Sequence, residues 1–257
     1  MDNPQFSNRV NITLDLLNSY SQELSVTISW KPSSLYQEFI FPVWTPGSYK
    51  IRDHVQHLYG LALSQSNKFI ELNRVETNSW SANIDNLQTL SMTYKLKCSQ
   101  YTVRTSYLDS EIASLCLPSV MMLINECRKY SHALTIIAPH DWNIYIPLEK
   151  LENLYLADNY DELVDSPLIA GNIIAKNYIV NNFQQKLLCI GSLPQGWPDH
   201  LVNDISLICE SECRLFKGGP PSRDNYLLVI QMLEGGYGGL EHSNGSVLQY
   251  NWRLLSN

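Results

Sequence analysis

Long hydrophobic runs are missing from this sequence, as are the compositions that mark fibrous and linker proteins. No segment approaches the roughly 18–20 uninterrupted apolar residues that a membrane-spanning helix needs. The 12 glycines and 12 prolines in 257 residues are too few for a collagen-like or linker chain. The first ten residues are polar and do not show the charged-then-apolar order of a signal peptide. We therefore expect a cytoplasmic protein with no membrane partner.

Basic residues are also scarce. Lys and Arg total 18 against 25 Asp and Glu, which gives a formal net charge of -7, and no Lys/Arg cluster stands out. A nucleic-acid partner is therefore not expected, because such surfaces concentrate positive charge. What the chain does have is apolar residues, at 44% of the total against 17% charged. That composition excludes a disordered chain and predicts at least one sizeable core.

Metal-binding and redox motifs are missing as well. None of the six cysteines forms a C-x-x-C pair, and a chain of this size does not need disulfides, so we expect buried reduced thiols. The only close pair of histidines is His54 and His57. It fails the H-E-x-x-H pattern of a zinc helix, because the two residues are three apart and Val55 follows the first. We predict no metal site in this chain. No P-loop, dinucleotide fingerprint or G-x-S-x-G motif is present either.

Short alternating segments dominate the first part of the chain. Apolar and polar residues alternate in Ile12–Leu16 and Leu24–Trp30, the period typical of half-buried strands. Thr45-Pro46-Gly47-Ser48 has Pro and Gly at the central positions of a type II turn. The pattern predicts an antiparallel β-sandwich. The apolar segment Phe39–Trp44 contains Pro42, which predicts an edge or a broken strand there. Further predicted strands are Phe69–Leu72, Leu90–Lys97, Tyr101–Val103, Ala133–Ala138 and Trp142–Pro147, and the predicted helices are Gly47–Leu58 and Leu154–Leu163.

The second part of the chain has a different pattern. Pro167 disfavours helix at the residue before it, and we place a domain boundary there, which gives domains 1–166 and 167–257. Apolar residues at three- and four-residue steps predict a helix from Pro198 to Phe216. The remaining predictions for this part are a hairpin of Leu168–Val180 and Lys186–Ile190 around Asn181-Asn182, and strands at Tyr226–Leu233 and Ser246–Trp252.

The segment Gly238-Gly239-Leu240-Glu241-His242 is the candidate binding motif. Glycines let another backbone approach closely, and a strand there can pair with an extended peptide. The Glu241 carboxylate can then hold a positively charged group such as a free peptide amine. An ordinary hairpin with a solvated Glu and His explains the same residues, and the pattern alone leaves both alternatives open.

This motif resembles that of the PDZ-containing glycyl aminopeptidase family of zinc metallopeptidases. Three further segments resemble the same family, in the same order along the chain. They are Trp44-Thr45-Pro46-Gly47-Ser48-Tyr49-Lys50-Ile51-Arg52-Asp53, Tyr160-Asp161-Glu162-Leu163-Val164-Asp165-Ser166-Pro167, and Glu212-Cys213-Arg214-Leu215-Phe216 with Gly218-Gly219. Ser243-Asn244-Gly245-Ser246 departs from the family's Arg-containing continuation.

The resemblance implies a mainly β chain, with an N-terminal antiparallel β-sandwich followed by the incomplete α+β start of a thermolysin-like catalytic domain. It implies that Gly238, Gly239, Leu240, Glu241 and His242 form a substrate-binding strand, with Glu241 on the substrate's N-terminal amine. His242 matches the motif without a role of its own. Tyr49 and Arg52 match the N-terminal signature and are expected in the cleft or between the domains.

The same resemblance places an H-E-x-x-H helix and a third ligand, a glutamate, after the Gly-Gly-Leu-Glu-His strand, whereas this sequence ends at Asn257. We therefore expect an N-terminal fragment of an aminopeptidase that is inactive alone, with zinc and a peptide substrate bound only by the intact enzyme. The alternative is a non-catalytic β module that binds peptides or a partner. We also expect residues after about 220 to be poorly ordered or covered by a second copy, through self-association of exposed strands.

Overall fold

The structure is a computed structural model that describes residues 9–220 and 225–256. Its N-terminal part, residues 9–171, consists of short strands, several 3-10 turns and one short α-helix. In chain order these are β1 (Arg9–Asp15), β2 (Glu23–Trp30), β3 (Tyr36–Ile40), β4 (Leu58–Gln65), β5 (Lys68–Ile70), β6 (Asn73–Glu76), β7 (Ser79–Asn83), β8 (Leu90–Lys97), β9 (Tyr107–Leu108), β10 (Ile112–Leu115), β11 (Leu123–Ile124), β12 (Ser131–Ile137), β13 (Asn143–Tyr145), β14 (Glu149–Leu151), β15 (Leu154–Ala157), α1 (Tyr160–Val164) and β16 (Leu168–Gly171).

These strands form three sheets around one continuous core. The largest has the order β14-β15-β12-β1-β2-β8-β4-β5, and the two four-stranded sheets have the orders β13-β16-β10-β9 and β11-β3-β7-β6. Alternation in the sequence explains the packing, since Leu24, Val26 and Ile28 on one face of β2 are all buried. The mainly β fold is thus confirmed. One pair departs from the antiparallel expectation, because β1 runs parallel to β12.

Two predicted helices are wrong over most of their length. Gly47–Leu58 contains only a 3-10 turn at His54–His57, because Gly47 takes a left-handed φ of 79° and the Arg52 amide closes the loop on the Val43 carbonyl at 2.6 Å. In Leu154–Leu163, residues 154–157 form β15 and pair with β12. The helix begins only after Asn159, whose side chain accepts a hydrogen bond from the Glu162 amide.

One of the predicted strands also needs correction. Tyr101–Val103 lies in a loop that is held by short-range hydrogen bonds, such as that from the Thr105 hydroxyl to the Gln100 carbonyl at 2.7 Å. Phe39–Trp44 is a broken strand, as predicted, because it is strand only as far as Ile40, within β3. After that point Pro42 lacks the amide that a sheet ladder requires.

The C-terminal part forms a five-stranded mixed sheet with one helix. Its elements are β17 (Lys176–Val180), β18 (Phe183–Ile190), α2 (Leu201–Leu215), β19 (Leu227–Leu233), β20 (Gly238–His242) and β21 (Gly245–Asn251). The order is β17-β18-β19-β21-β20, with β18, β19 and β21 parallel and the two outer strands antiparallel to their neighbours. Asn181 and Asn182 turn the first hairpin at positive φ, and the predicted long helix is α2.

Sheet pairing changes after Gly171, later than the boundary predicted at residue 166. Strand β16 still pairs with β10 and β13 of the N-terminal part. Residues 225–256 include β19, β20 and β21, so the first alternative, that residues after about 220 are poorly ordered, is wrong for them. The second alternative, that a second copy covers them, stays a prediction. Residues 221–224 lie outside the described part.

The C-terminal sheet is covered on both faces, but unevenly. One face packs on the N-terminal part in a cluster that includes Val103, Ile169 and Leu240. Helix α2 covers the other face over β17, through residues such as Ile205 and Cys213. The α2 side of the sheet is therefore less covered over β21 and β20, where Leu248 is 37% exposed.

All six cysteines are free thiols. Four of them are buried, and Cys189 and Cys209 are half-buried. Among the described residues, no helix is long and apolar enough to cross a membrane.

Candidate functional site

Strand β20, which carries the Gly-Gly-Leu-Glu-His motif, forms one edge of the C-terminal sheet. It pairs with β21 alone among the described strands, with Gly239 opposite Leu248 and Glu241 opposite Ser246. An edge strand leaves one row of main-chain amide and carbonyl groups unpaired within its sheet. Such a row is the surface that an extended peptide can add to.

A hydrogen bond from outside the sheet shows which residues of β20 direct their main-chain groups away from β21. The Gly239 carbonyl accepts a hydrogen bond from Nη2 of Arg104 at 3.0 Å. In an antiparallel pair, alternate residues direct both main-chain groups away from the partner strand. The amide and carbonyl of Glu241, two residues further on, therefore also face away from β21.

The side chains of β20 alternate between two environments. Leu240 is fully buried against the N-terminal part of the chain, whereas Glu241 is exposed. A β-carbon on Gly239 would lie 3.3 Å from Cδ2 of Leu248 and 3.6 Å from Oε1 of Glu241. The Glu241 carboxylate thus lies above the backbone of Gly239, on the sheet face turned away from the N-terminal part.

Two hydroxyl groups lie close to this carboxylate. Ser246 faces Glu241 across the strand pair, and its hydroxyl forms a 2.7 Å hydrogen bond with that of Tyr226. Burial raises the pKa of Tyr226 above its usual value, and the negative charge of Glu241 raises it further. Tyr226 therefore stays protonated at neutral pH and supplies a neutral hydroxyl beside the anionic side chain.

The 44–53 loop braces β20 from the N-terminal side. Its type II turn is closed by the Ser48 amide on the Thr45 carbonyl at 3.0 Å, with Gly47 in the left-handed region as predicted. A β-carbon on Gly47 would lie 2.9 Å from Cδ1 of Leu240 and 3.7 Å from the carbonyl oxygen of Glu241. The backbone of the turn at Gly47 thus packs directly against the Leu240 side chain of β20.

A second brace holds the end of β20. Asp165 accepts hydrogen bonds from Nδ1 of His242 at 3.2 Å, from the Ser243 amide at 3.0 Å and from the Ser243 hydroxyl. Burial alone would raise the pKa of Asp165, but the hydrogen bonds from His242 and Ser243 hold it below its usual value. The Asp165 carboxylate is therefore ionised at neutral pH and anchors the β20–β21 turn.

The predicted residues of the N-terminal signature lie in the 44–53 loop, in different environments. The Tyr49 side chain is fully exposed. Arg52 is half-buried and directs Nε towards the Ser48 hydroxyl at 3.5 Å. Their cleft or inter-domain role stays a prediction, as does the substrate-binding role of Gly238, Gly239, Leu240, Glu241 and His242.

Sequence reasoning assigned no role to several residues that contact β20. Asp165 lies in a segment that resembles the family, and the segment's order along the chain was the only available signal. Arg104 carries no signal, because it is a single arginine in a loop and reaches Gly239 across 135 positions of sequence. Tyr226 and Ser246 read as ordinary strand residues.

The resemblance implies zinc in the intact enzyme, but the described residues do not form a zinc-binding site. Among the described residues, no three His, Cys, Asp or Glu side chains come together as a metal site requires. A separate open cleft of about 830 Å³ lies where β18 and β19 end, and its walls include Tyr101, Trp142 and Gly191 but no residue of β20.

Comparison with known proteins places the chain in a family through its N-terminal part. A family model described as the Peptidase M61 N-terminal domain matches residues 11–172. No curated protein matches the chain significantly.

Solved structures share the fold. An aminopeptidase N family protein from Idiomarina loihiensis aligns with a TM-score of 0.85 at 23% identity, covering 93% of this chain and 42% of its own. An M1 zinc metallopeptidase from Deinococcus radiodurans gives 0.52 at 8% identity, covering 94% and 59%. A mutant M1 zinc metallopeptidase from the same organism, bound to a Tyr-Ser-Ala substrate, gives 0.54 at 9%, covering 93% and 59%. This chain thus spans less than half of the first protein and about three fifths of the others.

Proposed function

Because the chain belongs to the peptidase M61 family, we propose that it is the N-terminal portion of an aminopeptidase and that β20 binds the first residue of a peptide. In this proposal the Glu241 carboxylate holds the peptide's free amine. The outward-facing main chain of Glu241 and the amide of Gly239 pair with the peptide and fix its register. The described residues bind and orient the substrate, and zinc in an intact enzyme would need ligands other than these.

The observation that carries the proposal is the position of Glu241 on a free edge. The carboxylate is exposed on the open part of the sheet, and the backbone beside it has unpaired groups within the sheet. A β-carbon at Gly239 would crowd Cδ2 of Leu248 at 3.3 Å and lie in van der Waals contact with Oε1 of Glu241 at 3.6 Å, so the glycine keeps the surface beside the carboxylate open. An ordinary solvated hairpin needs neither a glycine at this position nor two braces behind the strand.

The braces matter because binding favours a site that is already formed. Gly47 against Leu240, and Asp165 on His242 and Ser243, hold β20 at two points along its length. A strand that is fixed before the peptide arrives loses less conformational entropy on binding. The Tyr-Ser-Ala substrate bound to the Deinococcus mutant is consistent with this substrate class.

Replacing Glu241 tests the proposal directly. We expect Glu241→Gln to weaken binding of Ala-Ala-Ala about 10-fold or more, because a charge-assisted bond to the amine is lost. N-acetylation of the peptide should have a similar effect on the unaltered chain and little further effect on the variant. Binding is measured by calorimetry or by NMR titration of the 257-residue chain.

The matched control is Glu149→Gln, which removes an exposed carboxylate from the distant edge strand β14. Its affinity for the peptide should stay unchanged. Equal binding of the free and N-acetylated peptides to the unaltered chain, or unchanged binding to Glu241→Gln, would refute the role of Glu241.

A further inference from the structure

Arg104 lies at the free edge of β20, beside the first half of the motif. Its Nη2 donates to the Gly239 carbonyl at 3.0 Å, and its Nη1 lies 3.6 Å from the position of a β-carbon on Gly238. The guanidinium therefore lies where a backbone amide of an added strand would otherwise donate to the Gly239 carbonyl. A peptide paired along β20 meets the arginine at this point.

The loop that carries Arg104 is held firmly against β20. The Arg104 amide donates to the Thr102 hydroxyl at 3.2 Å, and the Thr102 and Thr105 hydroxyls share a 2.7 Å hydrogen bond. Val103 is buried, with Cγ2 only 3.3 Å from the β-carbon position of Gly238. The side chain thus starts from a fixed backbone, which limits the positions open to its guanidinium.

The guanidinium also retains capacity for a ligand. No carboxylate among the described residues lies within ion-pairing distance of Arg104. Arginine has five N–H donors in a rigid fork that matches a carboxylate. One hydrogen bond to Gly239 leaves the other donors for an anion.

We propose that Arg104 binds the C-terminal carboxylate of short peptides whose amine is held by Glu241, and so limits the peptide to about three residues. This inference rests on the proposed function of β20. On an antiparallel edge, a first residue opposite Glu241 places the second opposite Leu240 and the third opposite Gly239. The third residue then carries its carboxylate to the arginine.

The spacing fits a tripeptide. Glu241 and Gly239 are two positions apart, which is about 7 Å along a strand at roughly 3.4 Å per residue. Opposite charges stand at the two ends of this interval, a carboxylate for the amine and a guanidinium for the carboxylate. A longer peptide has neither a free carboxylate at this position nor an unobstructed Gly239 carbonyl.

Four alanine peptides test the proposal on the 257-residue chain: Ala-Ala-Ala, its C-terminal amide, its N-acetyl derivative and penta-alanine. We expect Ala-Ala-Ala to bind about 10-fold more tightly than its amide or penta-alanine, because only the free tripeptide presents a carboxylate to Arg104. Arg104→Ala should abolish that preference. Arg104→Lys should restore part of it, because it keeps the charge without the planar fork.

The matched control is Arg214→Ala, which removes the same charge from the exposed face of α2 and should keep the preference. Circular dichroism and thermal unfolding verify that each variant is folded. If the unaltered chain binds Ala-Ala-Ala and its amide with equal affinity, and N-acetylation still weakens binding, the role of Arg104 is refuted and the role of Glu241 is not. Insensitivity to N-acetylation, or no binding of any peptide, refutes the proposed function and this inference with it.

Discussion

Gly239 shows at the scale of one residue how a missing side chain can shape a site. Its backbone φ is not in the left-handed region, so conformational freedom does not explain the glycine. Space does, because Leu248 and the Glu241 carboxylate border the position where a β-carbon would lie. The glycine therefore keeps open the space between Leu248 and the Glu241 carboxylate on this face of β20.

Gly239→Ala is expected to alter peptide binding more than folding. The new methyl group would contact Oε1 of Glu241 and crowd Leu248, which is partly exposed and can move. We expect a loss of about 5- to 10-fold in affinity for Ala-Ala-Ala, with the free energy of unfolding changed by less than about 1 kcal/mol. Calorimetry and urea unfolding measure the two quantities. Gly235→Ala, with nothing within 4 Å, is the control that should alter neither.

At the scale of elements, β20 is defined by what packs behind it. The 44–53 loop reaches Leu240 through Gly47, the loop after α1 reaches the β20–β21 turn through Asp165, and Arg104 reaches Gly239. All three contacts come from the N-terminal part of the chain, far away in sequence. These contacts hold the five-residue strand β20 in place although β21 is its single neighbouring strand among the described strands.

Gly47→Ala should separate this brace from ordinary backbone strain. The substitution places a β-carbon 2.9 Å from Leu240 at a φ of 79°, so it combines left-handed strain with a clash. We expect a loss of about 2–3 kcal/mol in the free energy of unfolding, measured with urea. Gly60→Ala, at a φ of 65° with nothing within 4 Å, carries the strain alone and should lose only about 1 kcal/mol. Equal losses would show that Gly47 does not brace the strand.

On the whole-molecule scale, polar side chains are buried where the C-terminal sheet meets the N-terminal part. Gln249 donates to Gln231 at 2.7 Å, and Gln231 donates to the Ser114 hydroxyl at 2.9 Å. Such groups cost free energy unless their partners are in place, so this chain of hydrogen bonds favours one docking geometry. The packing of the two parts against each other therefore determines where the site on β20 lies.

Two buried histidines predict how the stability of the whole molecule depends on pH. Burial lowers the pKa of His54 and of His132 from 6.5 to about 4 in the folded state. Between these values the unfolded chain binds more protons than the folded one, so the free energy of unfolding must fall as the pH drops from 6.5 towards 4.

Urea unfolding at pH 7 and pH 5 measures this dependence. The decrease should be smaller in His132→Gln, which removes one of the two groups, and unchanged in His140→Gln, which alters an exposed histidine. Asp165, whose pKa is lowered, stabilises the fold above its unfolded value of 3.8 and loses this effect only at more acidic pH. Equal stability of the unaltered chain at the two pH values would contradict the prediction.

The sequence by itself determined those features that depend on near neighbours. Alternating residues identified β1 and β2, three- and four-residue steps identified α2, and Pro46-Gly47 identified the type II turn, because each pattern reports a local geometry. The order of the motif segments indicated a metallopeptidase and selected Glu241.

Tertiary structure alone decided which parts of the molecule meet. The segment 154–157 became strand because β12 was there to pair with it, and the chain beyond Gly47 became a loop that packs on Leu240. Arg104 and Asp165 reach β20 across 135 and 77 positions of sequence. Contacts of that range follow from how the two parts of the chain dock, and no local pattern of side chains encodes them.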